Sequence, residues 1–142
     1  MIKELTLDKL DEVMEIWIST NIKAHNFISE QYWINNFDLV KEMIANSDVY
    51  IFEENNIIKG FIGIVDQNYI AGLFVRDIYQ RDGVGKELLN YCKSKYSSLM
   101  LDVFIKNKNA LSFYQKNNFK VIQKHFNEGL QEQEYTMYFG KR

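Results

Sequence analysis

Proline is absent from the 142 residues, and only one cysteine and two histidines are present. A lone cysteine, Cys92, excludes an internal disulfide framework, and these few ligands are too scarce for a structural zinc site, so no metal is expected. No run of about 18 apolar residues exists, which argues against a membrane span. The segment MIKELTLDKLDEV lacks the apolar stretch of a secretory signal. Together these absences predict a cytoplasmic protein.

Charge of one sign is also missing. The formal net charge is -2 with 25% charged residues, which is too balanced for a protein that binds nucleic acid through a basic surface. Neither a GxxxxGK[ST] phosphate loop nor a GxSxG nucleophile elbow is present. Hydrophobic residues make up 46% of the chain, which is enough for the core of a single domain spanning residues 1–142.

Hydrophobic periodicity divides the chain into strands and helices. A second helix is predicted from residue 29 or 30 to the segment ANSD, because apolar side chains there keep a 4-3-4 spacing. Its continuous buried stripe consists of Trp33, Phe37, Val40 and Ile44. The complete prediction has strands at 1–6, 49–54, 57–65, 69–75, 99–105, 119–126 and 132–139, and helices at 7–20, 30–44, 83–96 and 107–117.

The order β-α-α-β-β-β-α-β-α-β-β predicts a mixed α/β (α+β) fold. Residues 69–105 read as a strand, a helix and a strand, which requires a parallel pair, whereas the hairpins before and after add antiparallel pairs. The closing strand EQEYTMYF is expected to offer an edge through which a homodimer could form.

The stretch QRDGVG, residues 80–85, lies between a predicted strand and a predicted helix. The first turn of a helix has unpaired N–H groups and a partial positive charge, so it attracts anions such as phosphates. Gly83 and Gly85 leave the backbone accessible, and Arg81 and Lys86 add positive charge. A plain loop with a glycine N-cap explains the glycines equally well, so both interpretations stay open at this point.

The wider segment LFVRDIYQRDGVGKELL resembles the acetyl-CoA-binding motif of the GCN5-related N-acetyltransferases (GNAT). In that family an apolar strand end is followed by [Q/R]-x-x-G-x-[G/A], which Gln80, Gly83 and Gly85 match. Asp82 departs from expectation because it places an acid in an anion-binding loop.

A second segment, NKNALSFYQKNNF, resembles the other cofactor element of the same family. The matching positions are Asn107, Ala110, Tyr114 and Phe119. Asn118 replaces the usual glycine before the phenylalanine, and asparagine tolerates the left-handed turn that this position needs. The resemblance covers the whole chain.

The resemblance implies a mostly antiparallel, twisted sheet of about seven strands flanked by about four helices. It also implies an acetyl-CoA-dependent N-acetyltransferase in which a primary amine attacks the thioester directly. The backbone of Leu73, Phe74 and Val75 would pair with the pantetheine arm, and Asn107 and Tyr114 would contact the cofactor. The pyrophosphate would be held by Arg81, Asp82, Gly83, Val84, Gly85 and Lys86.

The resemblance also suggests catalytic residues. Tyr114 would be the general acid toward the CoA thiolate, although an aromatic residue packed on a helix explains it without the motif. Asp102, five residues before Asn107, and His25, in the loop between the first two helices, are both candidates for the general base. Glu30 and Asp66 are weaker candidates, and a water chain could replace any single base. His125 is read as a surface or packing residue.

Two other functions stay open. A non-catalytic acyl-CoA sensor or interaction module would keep the cofactor motifs without turnover. A mononucleotide-binding domain would use the glycine loop and Asp102 but would leave NKNALSFYQKNNF unexplained. The acceptor is equally open among small amines, peptide N-termini and protein lysines.

Overall fold

The computed structural model describes residues 1–140. Over that range seven strands form one sheet in the order β1-β2-β3-β4-β5-β7-β6. The strands are β1 (Ile2–Glu4), β2 (Asp48–Glu54), β3 (Ile57–Val65), β4 (Tyr69–Val75), β5 (Ser98–Phe104), β6 (Lys120–Asn127) and β7 (Glu132–Gly140). The helices are α1 (Leu10–Ala24), α2 (Glu30–Asn35), α3 (Phe37–Ala45), α4 (Val84–Lys95) and α5 (Lys108–Lys116).

The sheet is mixed and mostly antiparallel, as predicted. Only β4 and β5 run parallel, and α4 is the helix that connects them, which confirms the predicted crossover unit. All the other neighbouring strands pair antiparallel. The hairpin turn at Asn55 and Asn56 has positive φ at both residues, at 53° and 63°, so asparagine supplies the left-handed conformation that a two-residue hairpin turn needs.

Helices cover both faces of the sheet. On one face α4 and α5 bury an apolar cluster that includes Leu88, Leu99 and Met137. On the other face α1, α2 and α3 bury a second cluster around Met14 and Phe61. In the range 1–140, no helix has the length and apolar content to cross a bilayer.

The predicted second helix is in fact two helices. Asn36 separates α2 from α3, so five helices are present in residues 1–140 where about four were predicted. The Asn36 side chain donates a hydrogen bond to the Tyr32 carbonyl at 2.7 Å, and its backbone N–H donates to the same oxygen. The backbone of Asn36 leaves the helical region, with φ −99° and ψ 1°, and this change of direction separates the two helices. Trp33 is consequently buried, whereas the rest of the predicted stripe, on α3, is half-buried.

The prediction that EQEYTMYF forms a sheet edge is wrong. That segment is β7, which lies between β5 and β6 and pairs with both. The edges of the sheet are β1 and β6. The predicted homodimer through the edge of β7 is therefore excluded, because the backbone groups of β7 are already paired within the chain.

Candidate active site

Strands β4 and β5 diverge and leave a gap in the sheet. β4 pairs with β3 from Tyr69 to Val75, but it pairs with β5 only at Tyr69, opposite Met100. Past that pair, the edge of β4 that faces β5 has no strand partner. An extended molecule with amide groups could pair with this edge as an added strand. The edge includes Leu73, Phe74 and Val75, the residues that the family resemblance assigned to the pantetheine arm.

The start of α4 is a turn with unpaired backbone N–H groups. Gly83 is the N-cap, with a left-handed φ of 83°, and Arg81 also has a positive φ of 72°. The Glu87 N–H donates to the Gly83 carbonyl at 3.0 Å, which is the first bond of the helix. The three N–H groups of residues 84–86 therefore have no intrahelical acceptor. Such a turn, at the positive end of the helix dipole, binds phosphate groups.

The two glycines of this turn have different tasks. A β-carbon on Gly83 would meet nothing within 4 Å, so this position needs glycine for its φ angle. A β-carbon on Gly85 would lie 3.3 Å from the Phe113 ring and 3.6 Å from Val75. Gly85 therefore lets α4 approach both α5 and the end of β4. In addition, the Gln80 side chain donates to the Val75 carbonyl at 3.1 Å and ties the loop to the strand.

Tyr114 projects from α5 into the core beside the α4 turn. It is buried, and its ring packs edge-on against Phe113 and Phe119. Burial raises the pKa of the Tyr114 phenol well above its ordinary value. The phenol consequently stays protonated at neutral pH and can donate a hydrogen bond.

Asn107 joins the first turn of α5 to the α1–α2 loop. Its Oδ1 accepts a hydrogen bond from the Ala110 N–H at 3.2 Å and so caps α5. Because this bond fixes the oxygen, the amide nitrogen faces His25, whose Nε2 lies 3.0 Å away. His25 Nε2 must then be the acceptor, which leaves the proton on Nδ1.

The surroundings of His25 are apolar. Its ring stacks on Trp33 with centroids 5.5 Å apart and meets the edges of Phe27 and Phe104. Burial lowers the pKa of His25 to about 4, and its Nδ1 is buried without a partner within residues 1–140. A neutral imidazole whose only lone pair already accepts from Asn107 is a poor proton acceptor.

Asp102 lies on β5, two residues beyond the last β4–β5 pair. Its Oδ2 accepts a hydrogen bond from the Tyr69 hydroxyl at 2.7 Å, and its Oδ1 accepts one from Thr136 at 2.5 Å. Burial, together with the bond to Asp102, raises the pKa of the Tyr69 phenol, so it remains a donor. The Asp102 side chain keeps 29% of its surface exposed. It is thus a carboxylate held by two donors and open to solvent at the closed end of the gap.

The structure places His125 beside the Asp102 carboxylate, which the sequence alone did not predict. His125 Nε2 lies 2.8 Å from Glu134 and 3.7 Å from Asp102. The prediction of a surface or packing role for His125 does not include this cluster, because β6 reaches β5 only across β7. The signal lies in the register, which pairs Asp102 with Thr136 and His125 with Glu134 on one face.

Other candidates lie apart from this cluster. Glu30 is exposed in the first turn of α2, and Asp66 is in the β3–β4 turn with a φ of 48°. Cys92 is fully buried, and burial raises the pKa of its thiol to about 12, in keeping with an inert core thiol. In the part of the chain that the structure describes, no group of three or more His, Cys, Asp or Glu side chains could hold a metal ion.

Comparison with known proteins identifies the family. The profile of the acetyltransferase (GNAT) domain matches residues 20–139. The chain belongs to the GNAT acetyltransferase family. The peptidyl-lysine N-acetyltransferase YiaC of Escherichia coli (strain K12) is 32% identical over 123 residues, which are 86% of this chain and 84% of YiaC. The peptidyl-lysine N-acetyltransferase YjaB of the same strain is 27% identical over 78% of this chain and 76% of YjaB.

Solved structures share the fold over the full chain. The solution structure of apo-form YjaB from Escherichia coli has a TM-score of 0.85 at 23% identity, covering 98% of this chain and 96% of YjaB. The PaiA N-acetyltransferase of Thermoplasma acidophilum, in complex with coenzyme A, has a TM-score of 0.82 at 22% identity, covering 99% and 98%. The predicted fold and the prediction of an acetyl-CoA-dependent N-acetyltransferase are thereby confirmed. The roles of individual residues stay predictions.

Proposed function

We propose that this GNAT enzyme transfers the acetyl group of acetyl-CoA directly to the ε-amine of a lysine in a peptide or protein. The observation that carries the proposal is the β4–β5 gap, whose open strand edge ends next to the open N-terminal turn of α4. Val75, at the end of β4, and Gly85, in the first turn of α4, are neighbours. One elongated cofactor with amides at one end and a pyrophosphate at the other matches this arrangement.

The cofactor contacts follow from these two features. In the proposed complex the backbone of Leu73–Val75 pairs with the pantetheine arm, and residues 81–86 hold the pyrophosphate. Asn107 uses its oxygen to cap α5 and one amide hydrogen to hold His25. The second hydrogen of its amide remains for the cofactor.

The acceptor amine must lose a proton before it can attack. At pH 7 a lysine amine is neutral in only about 1 of 2,500 molecules, which corresponds to about 4.6 kcal/mol. We propose Asp102 as the general base that removes this proton, because it is an exposed carboxylate at the closed end of the gap. His25 is assigned a structural role instead, because burial lowers its pKa to about 4 and its free lone pair is occupied by Asn107.

The chemical step is a direct acyl transfer. The neutral amine forms a C–N bond with the thioester carbonyl carbon, and the C–S bond breaks to release the CoA thiolate. The Tyr114 hydroxyl donates its proton to the sulfur and is reprotonated from the second N–H of the attacking amine. The raised pKa of Tyr114 keeps its hydroxyl in the donating form before the reaction.

Two observations support a lysine acceptor. The relatives YiaC and YjaB are peptidyl-lysine N-acetyltransferases. The face of the sheet next to the gap carries the carboxylates of Asp102 and Glu134, which attract a cationic side chain.

The test compares the wild-type protein with Tyr114→Phe. Calorimetric titration measures acetyl-CoA affinity, and release of free CoA measures turnover on an N-terminally blocked peptide with one lysine. An identical peptide with arginine in place of that lysine is the control acceptor. We expect Tyr114→Phe to bind acetyl-CoA within about twofold of the wild type and to lose on the order of 100-fold in kcat.

Three results would contradict the proposal. Wild-type protein that binds acetyl-CoA but releases no CoA with any amine would indicate a sensor. Equal turnover with the lysine and arginine peptides would exclude the lysine amine as the acceptor. Unchanged kcat in Tyr114→Phe would exclude Tyr114 as the acid.

A further inference from the structure

Two polar side chains on the same face of the sheet as Asp102 have no role in the chemical step of the proposed function. His125 on β6 and Glu134 on β7 face the same side of the sheet as Asp102 on β5, and they are cross-strand partners. The His125 side chain is 32% exposed and that of Glu134 is 14% exposed. A half-buried histidine beside two carboxylates needs an explanation beyond packing.

Glu134 determines which nitrogen of His125 carries the proton. Its carboxylate lies 2.8 Å from His125 Nε2, and a carboxylate can only accept. The neutral imidazole therefore holds its hydrogen on Nε2 and directs it at Glu134. Asn127 also approaches Glu134, at 3.5 Å, and helps to hold that carboxylate in place. The second nitrogen, Nδ1, is left with a free lone pair.

Thr136 connects that lone pair to Asp102. Its hydroxyl oxygen lies 3.4 Å from His125 Nδ1 and 2.5 Å from Asp102 Oδ1, and it is buried. A hydroxyl can accept a proton from one neighbour while it gives its own to another. A connected row of four side chains results, namely Asp102, Thr136, His125 and Glu134. In this row Glu134 orients His125, just as a third group orients the base of a catalytic triad.

We propose that His125 is a positioning residue of the transfer reaction, and that it takes up, through Thr136, the proton that Asp102 removes from the acceptor amine. This inference rests on the proposed function and deepens it. His125 touches neither substrate in the proposed reaction, because Asp102 is the group that meets the amine.

The proton balance of the step is closed. The acceptor ammonium loses one proton to the Asp102 carboxylate. Once Asp102 is protonated, the Thr136 hydroxyl turns its hydrogen from Asp102 Oδ1 to His125 Nδ1. The Asp102 proton then passes to the Thr136 oxygen while the Thr136 proton moves to His125 Nδ1, so Asp102 is a carboxylate again. His125 becomes an imidazolium stabilised by Glu134 and later releases its proton to solvent. The net products are the amide, CoA thiol and one proton.

Several charged or titratable groups surround His125. Glu134 and Asp102 face it from β7 and β5, and the Tyr69 phenol on β4 lies behind Asp102. Lys106 is the nearby cation after β5, and it pairs with Glu132 at 3.1 Å. Both facing groups are carboxylates, which attract a positive charge on the imidazole ring.

The test measures the pH dependence of kcat in His125→Gln. Glutamine can still donate a hydrogen bond to Glu134 but cannot take up a proton. With the lysine peptide we expect kcat to fall by about 10- to 100-fold at pH 7. The loss should shrink several-fold near pH 9.5, where about one acceptor amine in nine is already neutral without help. A peptide with thialysine, whose amine is less basic than that of lysine, should show a smaller loss at pH 7.

Two further variants test the connecting hydroxyl and provide a control on β6. Thr136→Val removes the connecting hydroxyl at nearly constant volume and should give the same pH-dependent loss. Lys124→Gln removes a cation from the neighbouring exposed position of β6 and should keep the wild-type profile. Acetyl-CoA affinity, measured by calorimetry, should stay within about twofold of the wild type in all three variants.

The outcomes separate this inference from the proposed function. An active wild type with a His125→Gln loss that is equal at every pH and with both acceptors would overturn the relay and leave a structural role. An active wild type with no loss in the variant would also overturn it. A wild type without turnover would overturn the proposed function itself, and this inference with it.

Discussion

The two sides of the β4–β5 gap present different kinds of chemical groups. On the first side, β4 and the start of α4 present backbone groups, namely an unpaired strand edge and three free N–H groups at a left-handed glycine. On the second side, β5, β7 and β6 present side chains, which are linked by hydrogen bonds across three strands. In the proposed function the first side holds the cofactor, and the second side moves a proton.

This difference has a consequence for mutation. Backbone recognition is insensitive to most side chains, so it fails only where a substitution changes a φ angle or adds charge to the turn. A side-chain relay fails when one member loses its donor or acceptor, while the binding surface stays intact. Variants on the two sides should therefore separate acetyl-CoA affinity from turnover.

The largest expected effect is on the second side, in Asp102→Asn. An amide cannot take the proton of the acceptor, and its NH2 group faces either the Tyr69 or the Thr136 donor. We expect kcat for the lysine peptide to fall by on the order of 1,000-fold while the acetyl-CoA dissociation constant stays within about twofold. Steady-state CoA release and calorimetry measure the two quantities.

Tyr69→Phe is the matched control for that variant. It removes one hydrogen bond to Asp102 but leaves the carboxylate, so kcat should fall by less than about tenfold. A comparable loss in both variants would mean that the bond matters rather than the base.

The next effect is on the first side, in Gly83→Asp. An aspartate at this N-cap adds negative charge where the pyrophosphate is expected, so acetyl-CoA affinity should fall by on the order of 100-fold. Gly83→Asn is nearly the same size and tolerates the left-handed φ equally well, but it is neutral and should lose only a few-fold. Equal losses in both variants would show that shape, not charge, controls the turn.

The smallest effect concerns His25, which lies in the loop above the gap. Its pKa is about 4 in the folded protein against 6.5 for an ordinary histidine, so the unfolded chain binds the extra proton. Stability due to His25 is therefore fully present above pH 6.5 and is lost as the pH falls toward 4, by about 2 kcal/mol after allowance for its partial exposure.

His25→Gln should remove that part of the pH dependence. Glutamine can still accept the Asn107 hydrogen bond but does not titrate. Urea unfolding at pH 7 and pH 4.5 gives the free energy of unfolding for both proteins. If the two proteins lose the same stability between these pH values, His25 is not held neutral by burial.

Prediction from the sequence succeeded where the signal was contiguous. The glycine N-cap at 83 and the left-handed Asn118, with a φ of 71°, are both properties of a few neighbouring residues. The same applies to the order of the strands along the chain. Apolar periodicity does not reveal the break at Asn36, because the periodicity continues through it while the break lies in the backbone angles of one residue, with φ −99° and ψ 1°.

The family resemblance and the glycine at the start of α4 can be read from short stretches of sequence, because local backbone conformation depends on adjacent residues. The meeting of His125, Thr136 and Asp102 depends instead on how distant strands pair. They are up to 34 residues apart along the chain and come together through the order β5-β7-β6 and its register. A shift of one residue in that register would turn these side chains to the opposite face of the sheet. The proposed proton relay therefore depends on strand pairing, which no short segment encodes.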